Sequence, residues 1–167
     1  MIINKTVFRP SAPEDHIAVR AIHRRAFSRD AEADLAIALI EGETETIDLV
    51  AKLDAMVVGH VVLSKLDGPD GALGLGPLAV DPEWRDFQIG TELVRRALEM
   101  ARREGWKSAF VLGDPVYYGR FGFKRSLAEP VTCAFQGPFL QALELAPGGL
   151  DGYAGPVAYP DAFRAVQ

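Results

Sequence analysis

The clearest periodicity in the chain lies between residues 88 and 104, where apolar and charged positions alternate with the spacing of an α-helix. Glutamate and arginine occupy the polar positions, and Glu92–Arg96 and Glu99–Arg103 are pairs four residues apart. Gly105 follows and is suited to a left-handed cap. The pattern predicts an amphipathic helix whose apolar stripe consists of Ile89, Leu93, Val94, Ala97, Leu98 and Ala101.

Shorter apolar runs lie on both sides of this helix. The link Asp54–Ala55 is short enough to make a hairpin of the two strands that flank it. Residues 139–145 fit a strand or a helix, since periodicity does not distinguish them. The order predicts an α/β fold of the mixed α+β kind, a mixed sheet with helices on both faces. Strands are expected at residues 3–9, 47–53, 56–66, 72–80 and 108–113, and helices at residues 13–27, 31–41 and 115–121.

Two local signals refine these elements. Ser11 and Glu14 have the spacing of a capping box and predict the start of the first helix. The strand at 72–80 contains Gly76 and Pro77, and a proline in a strand indicates a bulge or an edge position.

Composition excludes several classes of protein. The 167 residues are 49% hydrophobic and 25% charged, which suits a single globular domain spanning residues 1–167. The net charge of −5 and the lack of a basic cluster argue against a nucleic-acid partner. No apolar run is long enough for a membrane span, and the first residues lack a signal-peptide pattern, so we expect a cytoplasmic protein. The single cysteine, Cys133, excludes a cysteine zinc site, and no metal site is expected.

The first candidate for chemistry is the turn that feeds the long helix. Asp81–Pro82 ends a strand, and the N-terminus that follows offers free backbone N–H groups that attract anions. Arg85 adds a forked cationic donor, and Gly90 allows close approach of a ligand. The turn is therefore a candidate pyrophosphate site; the alternative is an ordinary β–α turn with one glycine.

The second candidate is the segment GDPVYYGRFGF at residues 113–123, which contains Tyr117 and Tyr118. A phenol is protonated at neutral pH and can act as a general acid. The alternative is a pair of core aromatic residues on a short helix.

Together these features resemble the GNAT superfamily of acetyl-CoA-dependent N-acetyltransferases. The superfamily motif [Gln/Arg]-x-x-Gly-x-[Gly/Ala] matches at Arg85 and Gly90, whereas Gln88 stands in place of the middle glycine. The runs GHVVLS, LGPLAVDPEW, LGDPVYYGRFGF and GGLDGYAGPVAYPDAF resemble the bacterial YhbS-like branch. The resemblance covers a core at residues 3–127 and a branch-specific extension at residues 128–167.

The resemblance implies a mostly antiparallel sheet in which the fourth strand splays from the fifth and holds acetyl-CoA as co-substrate. We expect the glutamine at position 88, in place of the motif glycine, to weaken or shift coenzyme binding without abolishing it. This expectation assumes that the backbone at residue 88 is helical and needs no positive φ. Asp86 is unfavourable beside phosphates. The residues expected to bind the coenzyme are Leu78, Ala79 and Val80 on the strand, Arg85, Asp86, Phe87, Gln88, Ile89, Gly90 and Thr91 at the turn, and Tyr117, Tyr118 and Arg120 beyond it.

The activity implied is acetyl transfer from acetyl-CoA to a primary amine by direct attack in a ternary complex. Tyr118 matches the position of the family's general acid, with Tyr117 as second choice. His60 is a candidate base, the alternative being a core or surface strand histidine. Glu32 and Asp34 either line the acceptor cleft or serve as acids at a helix N-terminus.

Other interpretations stay open. His16 and His23 lie seven residues apart on one helix, lack a third metal ligand in the sequence pattern, and are interpreted as a solvated helix face. The acceptor is expected to be a small-molecule or peptide amine, and a homodimer is one alternative for the assembly. Coenzyme A binding without catalysis and transfer of another acyl group are the alternative functions.

Overall fold

The computed structural model describes residues 1–166 and contains a six-stranded sheet with the strands in chain order. All neighbouring strands are antiparallel except β4 and β5, which are parallel. The strands are β1 Val7–Arg9, β2 Thr46–Leu53, β3 Met56–Lys65, β4 Ala72–Val80, β5 Ser108–Leu112 and β6 Leu140–Glu144. The helices are α1 Ile2–Lys5, α2 His16–Phe27, α3 Ala31–Glu41, α4 Ile89–Arg103, α5 Pro115–Gly119 and α6 Arg125–Ala128, with 3₁₀ turns at Pro13–Asp15, Pro82–Trp84 and Asp161–Val166.

β4 separates from β5 half-way along its length. The two strands pair from Ala72↔Ser108 to Leu75↔Val111, and beyond Leu75 the β4 strand pairs, among residues 1–166, with β3 alone. On that side Gly76 and Pro77 lie opposite a single residue of β3, Val62, so the bulge predicted at this dipeptide is confirmed. The splay leaves one backbone edge of β4 free at the end that leads into α4.

Helices cover both faces of the sheet. Val61 and Val62 are neighbours on β3 and point to opposite faces, so Val61 joins the core under α4 and Val62 the core under α3. The predicted stripe of α4 is confirmed, because all six residues are buried: Ile89, Leu93, Val94, Ala97, Leu98 and Ala101. Gly105 takes φ +89 after α4, as its capping role requires.

The residues after 128 add a strand to the sheet and then return to the face that α3 covers. The segment at 139–145, left open between strand and helix, forms β6 and pairs with β5 from Ser108↔Glu144 to Leu112↔Leu140. The 3₁₀ turn at Asp161–Val166 brings Phe163 against Leu35 and Leu39 of α3. The tail therefore forms part of the wall around the splayed strands.

Two predictions at the N-terminus are wrong. Residues 3–9 are not one strand, because Ile2–Lys5 forms a helical turn and only Val7–Arg9 pairs with β2. The capping contact runs from the Ala12 N–H to Asp15 Oδ2 over 2.8 Å, whereas Ser11 donates to Asp48 on β2 instead of capping the helix. No helix among residues 1–166 is long and apolar enough to cross a membrane.

Candidate active site

A cavity of about 450 Å³ opens where β4 ends and α4 begins; we call it the α4 cavity. Its floor comes from the free edge of β4, and its sides come from α2, the turn before α4, and α5. The lining residues are Ala26, Phe27, Leu78, Ala79, Val80, Trp84, Arg85, Asp86, Gln88, Ile89, Gly90, Thr91, Tyr117 and Arg120.

The α4 cavity is suited to a phosphorylated ligand. The first backbone hydrogen bond of α4 runs from Glu92 N to Gln88 O over 3.0 Å, so the N–H groups of residues 89–91 precede it and are available to a ligand. Arg85 and Arg120 both line the cavity, and the Arg120 guanidinium lies 4.6 Å from the Tyr117 ring centre. Helix dipole and guanidinium charge both favour an anion here.

A second cavity of about 340 Å³ lies beneath the bulge of β4; we call it the bulge cavity. Phe27 and Leu78 line both cavities, so the two spaces adjoin across the splayed strand. The other walls of the bulge cavity are Glu32, Leu35, Leu75, Gly76, Pro77, Leu112, Gly113, Tyr118, Tyr159, Phe163 and Val166.

The two tyrosines of α5 face different cavities. Tyr117 lines the α4 cavity, and its hydroxyl lies 3.3 Å from the Thr91 hydroxyl. Tyr118 lines the bulge cavity, and burial raises the pKa of its phenol well above the usual range. The Tyr118 ring packs on Gly113, where an added Cβ would lie 2.5 Å from its Cε2 atom. Tyr118 is thus held in one position in the wall of the bulge cavity, with a phenol that is protonated at neutral pH.

Comparisons with known proteins show which family has this sequence and architecture. The sequence profile of the Acetyltransferase (GNAT) family matches residues 16–123. The chain is 35% identical over 164 residues to the uncharacterised N-acetyltransferase YhbS of Escherichia coli strain K12, covering 95% of this chain and 98% of the relative. It is 33% identical over 132 residues to the uncharacterised N-acetyltransferase YjhQ of the same strain, covering 74% of this chain and 72% of the relative.

Two solved structures share the fold. The crystal structure of Escherichia coli YhbS in complex with CoA superposes with a TM-score of 0.89 at 33% identity, covering 96% of this chain and 92% of that one. A Brucella melitensis GNAT family acetyltransferase in complex with acetyl-CoA gives a TM-score of 0.81 at 31% identity, covering 95% and 97%. The chain belongs to the GNAT acetyltransferase family. It is an acyltransferase, as its sequence resemblance indicated.

In this GNAT acetyltransferase the residues expected to bind the coenzyme come together. Every one except Phe87 and Tyr118 lines the α4 cavity. Phe87 is 40% exposed and packs beside Trp84, with ring centres 5.9 Å apart. The fold therefore gathers the expected residues around one space, and their individual roles stay predictions.

The expectation that residue 88 needs no positive φ is wrong. Gln88 is the N-cap of α4 with φ 68 and ψ 11, in the left-handed region, and Asp86 has φ 70. The glycine of the family motif thus falls where the backbone turns left-handed, which glycine adopts without steric cost. Here a glutamine takes that conformation.

The histidines of this GNAT acetyltransferase line neither of the two cavities within residues 1–166. His60 is fully buried and contacts Asp48 Oδ2 through Nε2 at 2.9 Å and His23 Nε2 through Nδ1 at 2.9 Å. His23 is fully buried too, so its interpretation as part of a solvated helix face is wrong. His16 is half-buried and pairs with Glu41. The role of His60 as base stays a prediction that its burial does not favour.

Burial and hydrogen bonds shift the pKa values of His23 and Asp48 in this chain of groups. Burial and the nearby His60 lower the pKa of His23 to about 3, so His23 is neutral. Burial acts to raise the pKa of Asp48, but hydrogen bonds from His60 and Ser11 outweigh it and the pKa is lowered. His60 Nε2–H donates to the Asp48 carboxylate, and a hydrogen bond joins His60 Nδ1 to His23 Nε2.

Sequence reasoning missed much of the bulge cavity. Phe27, Tyr159 and Phe163 form its walls, and nothing in their local sequence marks them, because they come from α2 and the tail. Of the two acids considered at the start of α3, Glu32 lines the cavity, whereas Asp34 is exposed and pairs with Arg20. Within residues 1–166, no group of three His, Cys, Asp or Glu side chains could hold a metal.

Proposed function

We propose that the protein transfers the acetyl group of acetyl-CoA to a primary amine by direct attack in a ternary complex. The observation that carries the proposal is the junction of the two cavities under the β4 bulge. It would join a phosphate-binding space to an apolar space that the half-buried Tyr118 lines. The net charge of −5 suits a cationic acceptor, and use of acetyl-CoA supports a cytoplasmic location.

The α4 cavity would hold the coenzyme. The N–H groups of residues 89–91, with Arg85 and Arg120, would bind its phosphates. The free edge of β4 at residues 78–80 offers backbone groups to the pantetheine arm, because alternate residues of an antiparallel strand point away from the partner. The coenzyme supplies an acetyl thioester, and the protein orients it towards the bulge.

The transfer requires two proton movements. The amine nitrogen forms a bond to the thioester carbonyl carbon, the carbon–sulfur bond breaks, and the amine loses a proton to water or a base. The departing thiolate takes the Tyr118 hydroxyl proton, which solvent then replaces. Burial raises the pKa of the Tyr118 phenol, so the hydroxyl is protonated at neutral pH.

Calorimetric titration with acetyl-CoA, CoA and dephospho-CoA tests the α4 cavity, and thiol release with a panel of amines tests transfer. We expect micromolar, saturable binding and amine-dependent thiol release. Replacing Tyr118 with phenylalanine should lower kcat by about a hundredfold or more while the dissociation constant of CoA stays constant. An unchanged kcat for Tyr118→Phe at every pH would remove the acid from the proposal. Binding without release from any amine would favour a coenzyme A-binding module.

A further inference from the structure

The bulge cavity has a wall chemistry that constrains what it can hold. Aromatic and aliphatic side chains dominate it, including Phe27, Leu35 and Phe163. At about 340 Å³ it lies near the lower end of the roughly 300–1,000 Å³ typical of small-molecule sites. A ligand in this space is therefore small and is largely surrounded by apolar groups.

Glu32 is the one formally charged residue among those lining this cavity within residues 1–166. It is 8% exposed and lies in the first turn of α3. Arg29 makes a forked ion pair with it, because its Nε donates to Oε1 over 2.8 Å and its Nη2 donates to Oε2, and the Arg29 side chain is about half exposed. A carboxylate has about four acceptor positions, so these two contacts leave about two positions for a further cationic donor.

We propose that the bulge cavity binds a small primary monoamine whose nitrogen is attached to an apolar aliphatic or aromatic group. The inference rests on the proposed function, since it names the acceptor class of that reaction. The ammonium pairs with Glu32, and the apolar body contacts Phe27, Leu35 and Phe163. Within residues 1–166, these walls contain no further charged side chain for a second charge on the ligand, and a buried unpaired charge is strongly disfavoured.

The same cavity also contains the groups assigned to the transfer. Tyr118 and the Gly76–Pro77 bulge line it together with Glu32. An amine held by Glu32 therefore shares one cavity with Tyr118 and with the strand that would orient the thioester. An apolar amine that binds in this cavity is therefore held close to the thioester bond with which it reacts.

Two amines of equal length separate this class from its alternatives. Pentylamine carries one ammonium on an aliphatic chain, and 1,5-diaminopentane adds a second ammonium at the far end. We expect kcat/KM for pentylamine to exceed that for the diamine by at least about tenfold, because the second charge would be buried without a partner. Equal or reversed values would overturn the inference.

Glu32→Gln tests the recognition of the ammonium, and Asp34→Asn on the same turn of α3 is the matched control, since Asp34 is exposed and lies outside the cavity. Glu32→Gln should raise KM for pentylamine by about tenfold or more while KM for acetyl-CoA stays constant. Asp34→Asn should change neither value. An unchanged pentylamine KM in a folded Glu32→Gln variant would overturn the assignment.

Calorimetric titration of both amines in the presence of CoA keeps this inference separable from the proposed function. Selective, Glu32-dependent pentylamine binding without thiol release would support the acceptor class and reject acetyl transfer to such amines. Thiol release with a peptide lysine or the diamine, but not with pentylamine, would support transfer and overturn the acceptor class. Failure of pentylamine to bind at millimolar concentration would also overturn it.

Discussion

His23 Nε2 lies 2.9 Å from His60 Nδ1, and both rings are fully buried although 37 residues separate them in the chain. The contact joins α2 to the middle of β3 and continues through His60 to Asp48 on β2. Phe27 stacks on His23 with ring centres 6.2 Å apart and lines both cavities. The histidine pair therefore connects the centre of the sheet to the wall of the candidate active site.

Acid should destabilise the protein through His23. Its pKa is about 3 in the folded state and about 6.5 when unfolded, so the unfolded chain binds more protons between these values. Stability is fully present above about pH 6.5 and falls by roughly 1 kcal/mol per pH unit as the pH is lowered towards 3. Urea unfolding between about pH 7.5 and 4.5 measures this slope above the range where Asp48 titrates.

His23→Leu should flatten that slope, because it removes the group that gains a proton on unfolding. His16→Leu is the matched control on the same helix, since His16 is partly exposed, and it should retain the slope. An unchanged slope in His23→Leu would contradict the assignment.

Gln88→Gly should stabilise the protein. The left-handed backbone at φ 68 costs a non-glycine residue about 1 kcal/mol, and glycine avoids this cost. Part of the gain is offset, because a glycine makes the unfolded chain more flexible and so stabilises the unfolded state. We expect an increase in the free energy of unfolding of a few tenths to about 1 kcal/mol, measured by urea unfolding. Glu99→Gly, within the right-handed part of α4, should instead lose about 1 kcal/mol. Loss of stability in both variants would show that residue 88 is unstrained.

Gly113→Ala should impair turnover by displacing the Tyr118 ring, although Tyr118 itself is not substituted. The new Cβ would lie 2.5 Å from Tyr118 Cε2, so the ring must move. We expect kcat to fall while the dissociation constant of CoA is unchanged, because Tyr118 does not line the α4 cavity. Gly119→Ala is the control, since no heavy atom lies within 4 Å of its added Cβ. The double variant Gly113→Ala/Tyr118→Phe should be less than additive in kcat if both act through the same hydroxyl.

Asp86→Asn should tighten CoA binding. Asp86 lines the α4 cavity and its carboxylate repels phosphates, whereas asparagine tolerates the same left-handed backbone. A charge pair near a protein surface is worth about 1 kcal/mol or more, so several-fold tighter binding is expected by calorimetry at low salt. Glu83→Gln, outside the cavity, should leave the affinity constant, and raised salt should shrink the Asp86 effect. Weaker binding in Asp86→Asn would mean that the carboxylate supports the loop instead.

The sequence by itself determined the features whose physics is local. The stripe of α4, its Gly105 cap and the hairpin at Asp54–Ala55 follow from side-chain period and turn chemistry within a few residues. The resemblance to the GNAT family, carried by the order of the motifs, predicted the splayed sheet and named most of the residues that line the α4 cavity. The α4 stripe, the cap and the hairpin, in contrast, are specified by residues close together in the chain.

Tertiary structure decided what depends on packing between distant segments. The bulge cavity takes walls from α2, α3 and the tail, and the burial of His23 follows from where α2 meets β3. The left-handed backbone at Gln88 is set by how the end of β4 must turn into α4, which outweighs the residue's own preference. Burial and backbone strain at these positions arise from contacts between elements, so no local pattern in the sequence records them.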